Sequence, residues 1–428
     1  MAQTTPPPMK SFSKRQFLKT LGGSSGLLLL NLGESLARVA HLAPGALAGE
    51  EGFWREIRKS YTVTHDFIHL ENGYFSLASD EVLRQYLQHI RQVNQVSSYY
   101  MRTRMTGDKQ AAQKELARLL GCSPEELIIT RNTTESLDTV IAGIDWKPGD
   151  EAVMAEQDYG AMLDMFALQA RRYGIINRLV SLPNHPSSDG EIVDIYEKAI
   201  TPRTRLLMVC HVVNITGQVL PVRKITEMAH RHGVDVLVDG AHAFGQLAFA
   251  IGDLQCDYYG SSLHKWLGNP LGAGILYVRK EKIAGIWPVF GDSGFADSDI
   301  RKLNHTGTHP VATDLAIRDA IRFHEMLGIA RKEARLRYLQ RYWTDKVRNH
   351  PNIILNTPHA PERTCAIANV GVKGVNPNDL AKRLLDQYRI FTVAIDRPGV
   401  SGVRVTPHLY STTHELDLFV KALKEIAA

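Results

Sequence analysis

Two short segments hold side chains whose types and spacing suit covalent chemistry. Asp239 and His242 lie in an Asp-Gly-Ala-His run, and Ser262, His264 and Lys265 lie close together further along the chain. Seen alone, such an Asp is usually a helix cap or turn residue, and a Lys is usually solvated. Together they match the two protein groups that pyridoxal phosphate chemistry needs, a carboxylate at the pyridine nitrogen and an amine that forms a Schiff base. The pair predicts Lys265 as the amine that moves the Cα proton, and Asp239 as the group that keeps the ring nitrogen protonated.

A third segment could hold the phosphate of such a cofactor. Thr133 and Thr134 follow a predicted strand and open a predicted helix. Backbone N–H groups at a helix N-terminus favour an anion, and the helix dipole adds to that preference. Taken alone, a Thr-Thr pair at a helix start is more often a simple cap. Its value as a phosphate site therefore depends on the neighbouring motifs.

Apolar, β-branched-rich runs alternate with helical patterns through the middle of the chain, and these elements must position the motifs. We predict strands at 127–130, 151–155, 177–182, 205–212 and 235–239. Runs that are apolar on both faces and joined by helices predict an α/β fold, with a mainly parallel sheet covered by helices. Ligands bind at the carboxyl ends of such strands, where Asp239 and Thr133 lie.

The C-terminal part predicts a smaller α+β domain. A long helical stretch runs from 311 toward 348, with Gly328 inside it, and strands are predicted at 353–355, 365–372 and 390–395. The predicted organisation has four segments: an export signal at 1–48, an N-terminal segment at 49–75 that packs with the small domain, a large cofactor-binding domain at 76–310, and a linking helix with the small domain at 311–428.

Net charge argues against a nucleic-acid partner. The chain carries +5, with 50 Lys and Arg against 45 Asp and Glu. Residues 1–48 hold five of the cations and one of the anions, which leaves 45 cations and 44 anions in the remainder. A nearly neutral body is not typical of a polyanion-binding protein. Four cysteines are too few for a disulfide scaffold, and none lies in a cluster with zinc spacing, so no metal site is predicted.

The N-terminal tail predicts an export signal. A basic segment at 13–19 precedes an apolar stretch at 21–32, and Ala46-Leu-Ala48 provides a small-x-small cleavage site. The apolar stretch is about half of the ~20 residues that a membrane span needs, so no stable span is predicted. The tail resembles a twin-arginine signal with Lys14 in place of the first arginine, which predicts a periplasmic protein. If the tail is instead an amphipathic extension, the protein is cytoplasmic.

These motifs together resemble the fold-type I pyridoxal-phosphate enzymes of aminotransferase class V, in particular the isopenicillin N epimerase-like branch, over residues 52–428. The resemblance implies that Lys265 is the Schiff-base lysine and Asp239 the partner of the ring nitrogen. It places His242 and Asn214 near the phenolic oxygen of the cofactor. It also implies phosphate contacts from Ser262, His264, Thr133 and Thr134.

The resemblance implies further roles that complete the site. Tyr159 would stack on the ring, although alone it would be read as a core tyrosine. Thr308, in Thr-Gly-Thr, would reach the phosphate of a neighbouring subunit, which implies a homodimer with shared active sites. Arg404 would grip the α-carboxylate of the substrate, the alternative being a surface arginine. Substrate contacts are also expected from Asn72, Tyr74 and Arg102, although Arg102 could equally lie at a solvated helix end.

The expected reaction occurs at the Cα of a small amino-acid or peptide substrate, through Schiff base and quinonoid intermediates. Epimerisation, transamination, and elimination or oxidation at the Cα–Cβ region all remain open, as does a lyase-type reaction. One alternative is a periplasmic tailoring enzyme for the glutamyl side chain of a pyoverdine-type peptide, and another is an inactive cofactor-binding regulator. A persulfide cysteine desulfurase needs a nucleophilic Cys on the loop at 396–402, which has none. We therefore expect the protein not to be a desulfurase of that kind.

Overall fold

The computed structural model describes residues 33–291 and 294–428. Residues 44–428 form one compact unit. The basic and apolar parts of the predicted export signal, at 13–32, lie outside the described residues. In the described part of the chain, no helix combines the length and the apolar character that crossing a membrane requires.

A seven-stranded sheet forms the centre of the molecule. Its strands are β2 (Leu127–Thr130), β3 (Glu151–Ala155), β4 (Ile176–Val180), β5 (Thr204–Cys210), β6 (Asp235–Asp239), β7 (Tyr258–Ser262) and β8 (Gly274–Val278). They are ordered β2-β8-β7-β6-β5-β3-β4, in which β8 runs antiparallel to β2 and β7 and the other neighbouring pairs are parallel. The predicted α/β class with a mainly parallel sheet is confirmed.

Helices pack on this sheet, and three of them begin at a side-chain cap. The helices of this part are α3 (Asp80–Thr103), α4 (Met105–Leu120), α5 (Thr133–Gly143), α6 (Gly160–Tyr173), α7 (Asp189–Glu197), α8 (Val222–Arg231) and α9 (Ile251–Leu254). The side chains of Ser79, Asn132 and Ser188 accept backbone N–H groups at the starts of α3, α5 and α7. Apolar side chains of α5 and α6 pack in one cluster with those of β2, β3, β5 and β8.

The C-terminal part forms a second sheet with its own core. Its strands are β9 (Ile353–Leu355), β10 (Ala368–Val372), β12 (Val393–Arg397) and β13 (Val400–Val405), in the antiparallel order β12-β13-β10-β9. The helices are α10 (Val311–Leu327), α11 (Ile329–Val347), α12 (Pro377–Tyr388) and α13 (Thr413–Ala427). The predicted long helix is therefore two helices, because Gly328 adopts a positive φ of 82° that ends the first.

Residues before the large sheet pack with the C-terminal part. The helices α1 (Pro44–Leu47) and α2 (Glu51–Arg58) precede β1 (Ile68–His69), which pairs in parallel with β11 (Ile390–Phe391). Leu47 and Ala48 are buried, at 0% and 4% exposure. The carbonyl of Leu47 accepts from Trp54 Nε1 at 2.8 Å, and that of Ala48 from Arg335 Nη1 at 2.9 Å. The predicted domain boundaries stay a prediction.

Candidate active site

A cavity of about 190 Å³ lies where β5, β6 and β7 end. Cys210, the last residue of β5, pairs with Asp239, the last residue of β6, and Asp239 pairs with Gly260 of β7. The predicted site residues that line the cavity are Tyr74, Thr133, Thr134, Tyr159, Asn214, Asp239, His242, Ser262, His264, Lys265 and Arg404. The sheet edge thus brings together eleven side chains that the sequence distributes over more than 300 positions.

Asp239 is buried at the end of β6. Its Oδ1 accepts from the Ala241 N–H at 2.9 Å. Burial raises the pKa of the Asp239 carboxyl, and the Ala241 N–H and Lys265 counteract that rise. A Cβ at Gly240 would lie 2.0 Å from the ring of Tyr259, so only glycine lets the chain turn away at this point. The carboxylate is therefore fixed at the cavity wall by the backbone that follows the strand.

Lys265 and His242 form a part-buried amine–imidazole pair. Lys265 Nζ lies 3.3 Å from His242 Nε2, and Trp266 Nε1 donates to His242 Nδ1 at 3.4 Å. Burial lowers the pKa of Lys265 to about 8 and holds that of His242 well below its usual value. Because an indole N–H can only donate, Nδ1 of the neutral imidazole is the acceptor and Nε2 carries the proton. His242 therefore donates toward Lys265 whenever the amine is neutral.

The start of α5 forms an anion site against β7. Thr133 N–H donates to Ser262 Oγ at 2.9 Å, and Thr133 Oγ1 lies 2.6 Å from the same oxygen. Asn132 caps the helix by accepting from the Glu135 N–H at 2.9 Å. Thr134 also lines the cavity. These hydroxyls and the positive end of the helix suit a phosphate group.

Two polar atoms on the cavity-lining residues lack partners. Asn214 Oδ1 and His264 Nδ1 are buried, and neither has a hydrogen-bond partner among the described residues. Burial lowers the pKa of His264 to about 4, so its imidazole is neutral. A buried polar atom without a partner is costly unless a ligand completes it. The orphaned atoms, the anion site and the Asp239–Lys265 pair fit a pyridine ring that bears a phosphate and a carbonyl group.

Arg404 is not free to meet a ligand on all sides. Its Nε donates to Glu71 Oε2 at 2.9 Å and its Nη2 to Glu71 Oε1 at 2.7 Å. Its Nη1 donates to the carbonyl of Asn214 at 3.2 Å. The ring of Tyr74 covers the guanidinium with its centroid 4.3 Å from Cζ. The predicted carboxylate-binding arginine thus already holds a carboxylate of the protein.

Three predicted site residues do not line the cavity. Asn72 is buried beside it, where its Nδ2 donates to the Thr406 carbonyl at 2.7 Å and its Oδ1 accepts from Tyr410 OH at 2.5 Å. Arg102 is exposed near the end of α3. Thr308 lines a separate cavity beside α4. Asn72 therefore fixes the chain that carries Tyr74, and Arg102 and Thr308 are outside this cavity in a single chain.

Several residues at this site were not predicted from the sequence. Phe75 lines the cavity and packs against His264 with ring centroids 5.7 Å apart. Cys210 lines the cavity at the end of β5, and burial raises the pKa of its thiol. Glu71 directly precedes Asn72, but no local pattern in the sequence shows that its carboxylate pairs with an arginine.

Comparison with known proteins decides the family. The sequence model of aminotransferase class V matches residues 76–417. The chain belongs to the aminotransferase class-V family. It is 32% identical over 335 residues to the isopenicillin N epimerase of Amycolatopsis lactamdurans, a match that covers 74% of this chain and 84% of the relative. The resemblance to this family and to its epimerases is confirmed.

Other relatives correct one expectation. A probable cysteine desulfurase of Halalkalibacterium halodurans is 28% identical over 370 residues, which cover 81% of this chain and 88% of the relative. The expectation that excluded cysteine desulfurases was therefore wrong. It relied on one cysteine in one loop, the turn between β12 and β13. Sulfur can also leave as a small molecule, and cysteine persulfide is the named reaction product of the cystine C-S lyase C-DES.

The fold of this chain is similar to that of C-DES. Its structure with glycine covalently linked to the pyridoxal phosphate cofactor has a TM-score of 0.77 to this chain at 21% identity, covering 86% of this chain and 98% of that one. Pyridoxal phosphate is the cofactor of this protein. When bound, it supplies an electron-withdrawing ring that stabilises negative charge at the substrate Cα. Lys265, Asp239, Asn214 and the start of α5 are the groups that would hold it.

Proposed function

We propose that this class-V enzyme acts at the Cα of an amino acid or an amino-acid-containing peptide, as an isopenicillin N epimerase-like protein. The observation that carries the proposal is the Lys265–His242 pair, 3.3 Å apart in the cavity. Its similarity to the Amycolatopsis epimerase supports the same branch of the family.

Lys265 is suited to take and return a proton at Nζ. With a pKa lowered to about 8, the amine is partly neutral at neutral pH, whereas an ordinary lysine is almost fully protonated. A base whose pKa lies near the working pH is the most effective in both directions. His242 can steady the neutral amine by donating from Nε2, and Trp266 fixes the orientation of its ring.

The remaining cavity residues orient and shield the reacting atom. Asp239 can hold the proton of the ring nitrogen, because its carboxylate is buried and oriented by the Ala241 N–H. Phe75 and Tyr159 add apolar surface at the cavity, and such surface excludes water from a reacting carbanion. Epimerisation, transamination and lyase chemistry share the loss of the Cα proton, so that step is the first to test.

The proposal is tested by proton exchange at Cα. Purified protein loaded with cofactor is incubated in D₂O with L- and D-amino acids, including cysteine, and with short peptides, and loss of the Cα proton is followed by NMR. We expect exchange with at least one class of compound and none in Lys265→Ala. Chiral chromatography, keto-acid analysis and sulfide release then identify the reaction. A protein that takes up the cofactor but exchanges no proton would instead support the inactive regulator.

We further propose that the active enzyme is a homodimer with shared sites. Thr308 lies outside the cavity of its own chain, and the preceding segment exposes the apolar side chains of Trp287, Val289 and Phe290. Exposed apolar clusters favour association. Sedimentation of the purified protein should give twice the chain mass, and Trp287→Glu should lower both the mass and the exchange rate.

We also propose export of the folded enzyme to the periplasm. The basic residues at 13–19 and the apolar stretch at 21–32 support this. Cell fractionation of the full chain should recover it with periplasmic markers, and a variant in which Lys14 and Arg15 are both Gln should remain in the cytoplasm. Recovery of both the full chain and this variant with cytoplasmic markers would favour a cytoplasmic enzyme.

A further inference from the structure

Arg404, which lines the cavity, forms a buried ion pair with Glu71 behind it. The two side chains have 0% and 3% of their surface exposed. Both oxygens of Glu71 are engaged, each by a different nitrogen of the guanidinium. Such a fork-to-fork contact is the geometry in which an arginine binds a carboxylate most strongly. Glu71 therefore fills the Nε–Nη2 edge of Arg404, one of the two edges at which a guanidinium can bind a carboxylate through two hydrogen bonds.

The backbone holds Glu71 in this position. Its Oε1 also accepts from the N–H groups of Gly73 and Tyr74, at 2.9 and 3.0 Å. A Cβ at residue 73 would lie 3.2 Å from Cζ of Arg404, so glycine allows this close approach. The segment is tied to the end of β13, where Thr406 N–H donates to the carbonyl of Leu70 at 2.7 Å. The carboxylate is thus built into the wall and is not a chance surface contact.

Displacing Glu71 would be unfavourable. A substrate carboxylate that took its place on Arg404 would leave a buried carboxylate without its cation, and such a charge is strongly destabilising. The free end of the guanidinium, at Nη1, is partly engaged by the Asn214 carbonyl. What Arg404 can still offer the cavity is two N–H groups, one on Nη1 and one on Nη2, within a pair whose charges cancel.

The charges of Arg404 and Glu71 also act on the pKa of Lys265. Arg404 lowers the pKa of the Lys265 amine, and Glu71 raises it, so the two contributions oppose each other. An incoming carboxylate would find no net positive charge at this wall. An uncharged carbonyl, such as that of an amide, can accept from these remaining N–H groups without adding an unpaired charge.

Within the function proposed above, we propose that Glu71 is a specificity-determining residue. By neutralising Arg404, it makes the cavity select substrates whose group next to the reacting Cα is an uncharged amide, as in a peptide-linked residue. Free amino acids, with their α-carboxylate, bind less well. The opposite reading is that Glu71 only positions Arg404 to bind a carboxylate, and the two readings predict effects of opposite sign.

The test compares each L-amino acid with its α-amide on the cofactor-loaded protein. Dissociation constants are measured from the change in the cofactor spectrum, at a matched concentration of neutral amine, for the wild type, Glu71→Gln and Glu71→Asp. In the wild type, the amide should bind at least as tightly as the acid. In Glu71→Gln, the acid should gain tenfold or more relative to the amide, whereas Glu71→Asp keeps the charge and should resemble the wild type.

A matched control is Glu151→Gln. Glu151 is fully buried and pairs with Arg178 and Arg203 at the start of β3, the end of the strand away from the cavity. Its loss should not change the ratio of acid to amide binding. If Glu71→Gln does not fold, the wild type alone decides, because a preference for the acid of tenfold or more would overturn the proposal.

The remaining outcomes are also decisive. Weaker acid binding in Glu71→Gln, or an unchanged ratio, would show that Glu71 only positions Arg404. If no compound perturbs the wild-type spectrum, acid binding that appears in Glu71→Gln supports the proposal, and no binding in either overturns it. Failure of the proposed function is separate, because it would appear as absent proton exchange at Cα with every compound, including those that bind.

Discussion

Two walls of the cavity treat their buried polar groups differently. The cofactor wall, formed by Thr133, Asn214, Ser262, His264 and Lys265, contains the orphaned atoms Asn214 Oδ1 and His264 Nδ1. The arginine wall, formed by Glu71, Tyr74 and Arg404, is closed by its own ion pair, by backbone N–H groups and by an aromatic ring. One wall is incomplete without a ligand, and the other is complete without one.

The difference between the walls corresponds to two tasks of the cavity, binding a ligand and holding the structure together. A buried polar atom without a hydrogen-bond partner lowers the stability of the ligand-free protein, but it contributes binding energy when a ligand supplies the partner. A closed pair holds the structure together and gives little to a ligand. Residues 71–74 and 404 also connect the first and last parts of the unit. The cofactor wall is therefore expected to control binding, and the arginine wall stability and selectivity.

The largest effect is expected from the cofactor wall, in Lys265→Ala. Removal of the amine should abolish covalent capture of the cofactor, measured as the mass added after reduction with borohydride. Lys332→Met is the matched control, since Lys332 is a buried lysine whose pKa is also lowered, to about 7, but it does not line the cavity. Capture that persists in Lys265→Ala and disappears in Lys332→Met would contradict the assignment.

The next effect tests the arginine wall. Arg404→Ala leaves Glu71 buried without its cation, so the free energy of unfolding of the cofactor-free protein should fall by about 3–5 kcal/mol. Urea denaturation measures it. Asn214→Ala should cost less than about 1 kcal/mol there, because its side-chain oxygen has no partner to lose. Adding Glu71→Ala to Arg404→Ala should recover part of the lost stability. Equal losses of stability in Arg404→Ala and Asn214→Ala would contradict the difference between the walls.

A smaller effect is expected at the anion site. Ser262→Ala removes a hydroxyl that would contact the phosphate, so cofactor affinity should fall by about 1.5–3 kcal/mol, the value of a hydrogen bond to a charged group. Fluorescence titration of the cofactor-free protein measures it. Ser261→Ala is the control, because the neighbouring hydroxyl bonds the Gly240 carbonyl and does not line the cavity. Similar losses in both would indicate a general effect on β7.

The smallest effect is a pH dependence of cofactor capture. Only a neutral amine attacks an aldehyde, and the Lys265 amine loses its proton as pH rises through about 8. The capture rate should therefore rise about tenfold from pH 7 to pH 9 and then level off. Stopped-flow absorbance measures it. A rate that still climbs steeply above pH 10 would mean that burial does not lower the pKa of Lys265.

Local sequence patterns predict the central strands well where the side chains are apolar. β2, β3 and β6 lie where they were predicted, because each is a short apolar run that the sheet buries. β7 and β8 were missed. Gly260 and Gly274 weaken their apolar pattern, yet a Cβ there would lie 2.7 Å from the Leu137 side chain and from the Asn132 backbone, respectively. The close packing of α5 therefore requires the same glycines that weaken the hydrophobic pattern of these two strands.

The same limit applies to the site. Asp239 and Lys265 were predicted because each follows a recognisable strand or motif, and the sheet edge then brings them together. The pairing of Glu71 with Arg404 has no local signal, since it depends on the parallel contact of residue 71 with Thr406. Asn72 was predicted to contact the substrate, but its side chain bonds Thr406 and Tyr410 instead. A sequence shows that a residue is near the site, not the direction in which its side chain points.

The burial of Leu47 and Ala48 bears on the order of events during export. The proposed cleavage bond follows Ala48, whose carbonyl already holds Arg335, and Leu47 has no exposed surface. A peptidase requires an accessible, extended chain, so a protein that folds before crossing the membrane protects this bond. Cutting there would also leave Trp54 Nε1 and Arg335 without these acceptors. Under the proposed export of an already folded enzyme, processing at Ala48 is therefore disfavoured by the contacts that this segment makes.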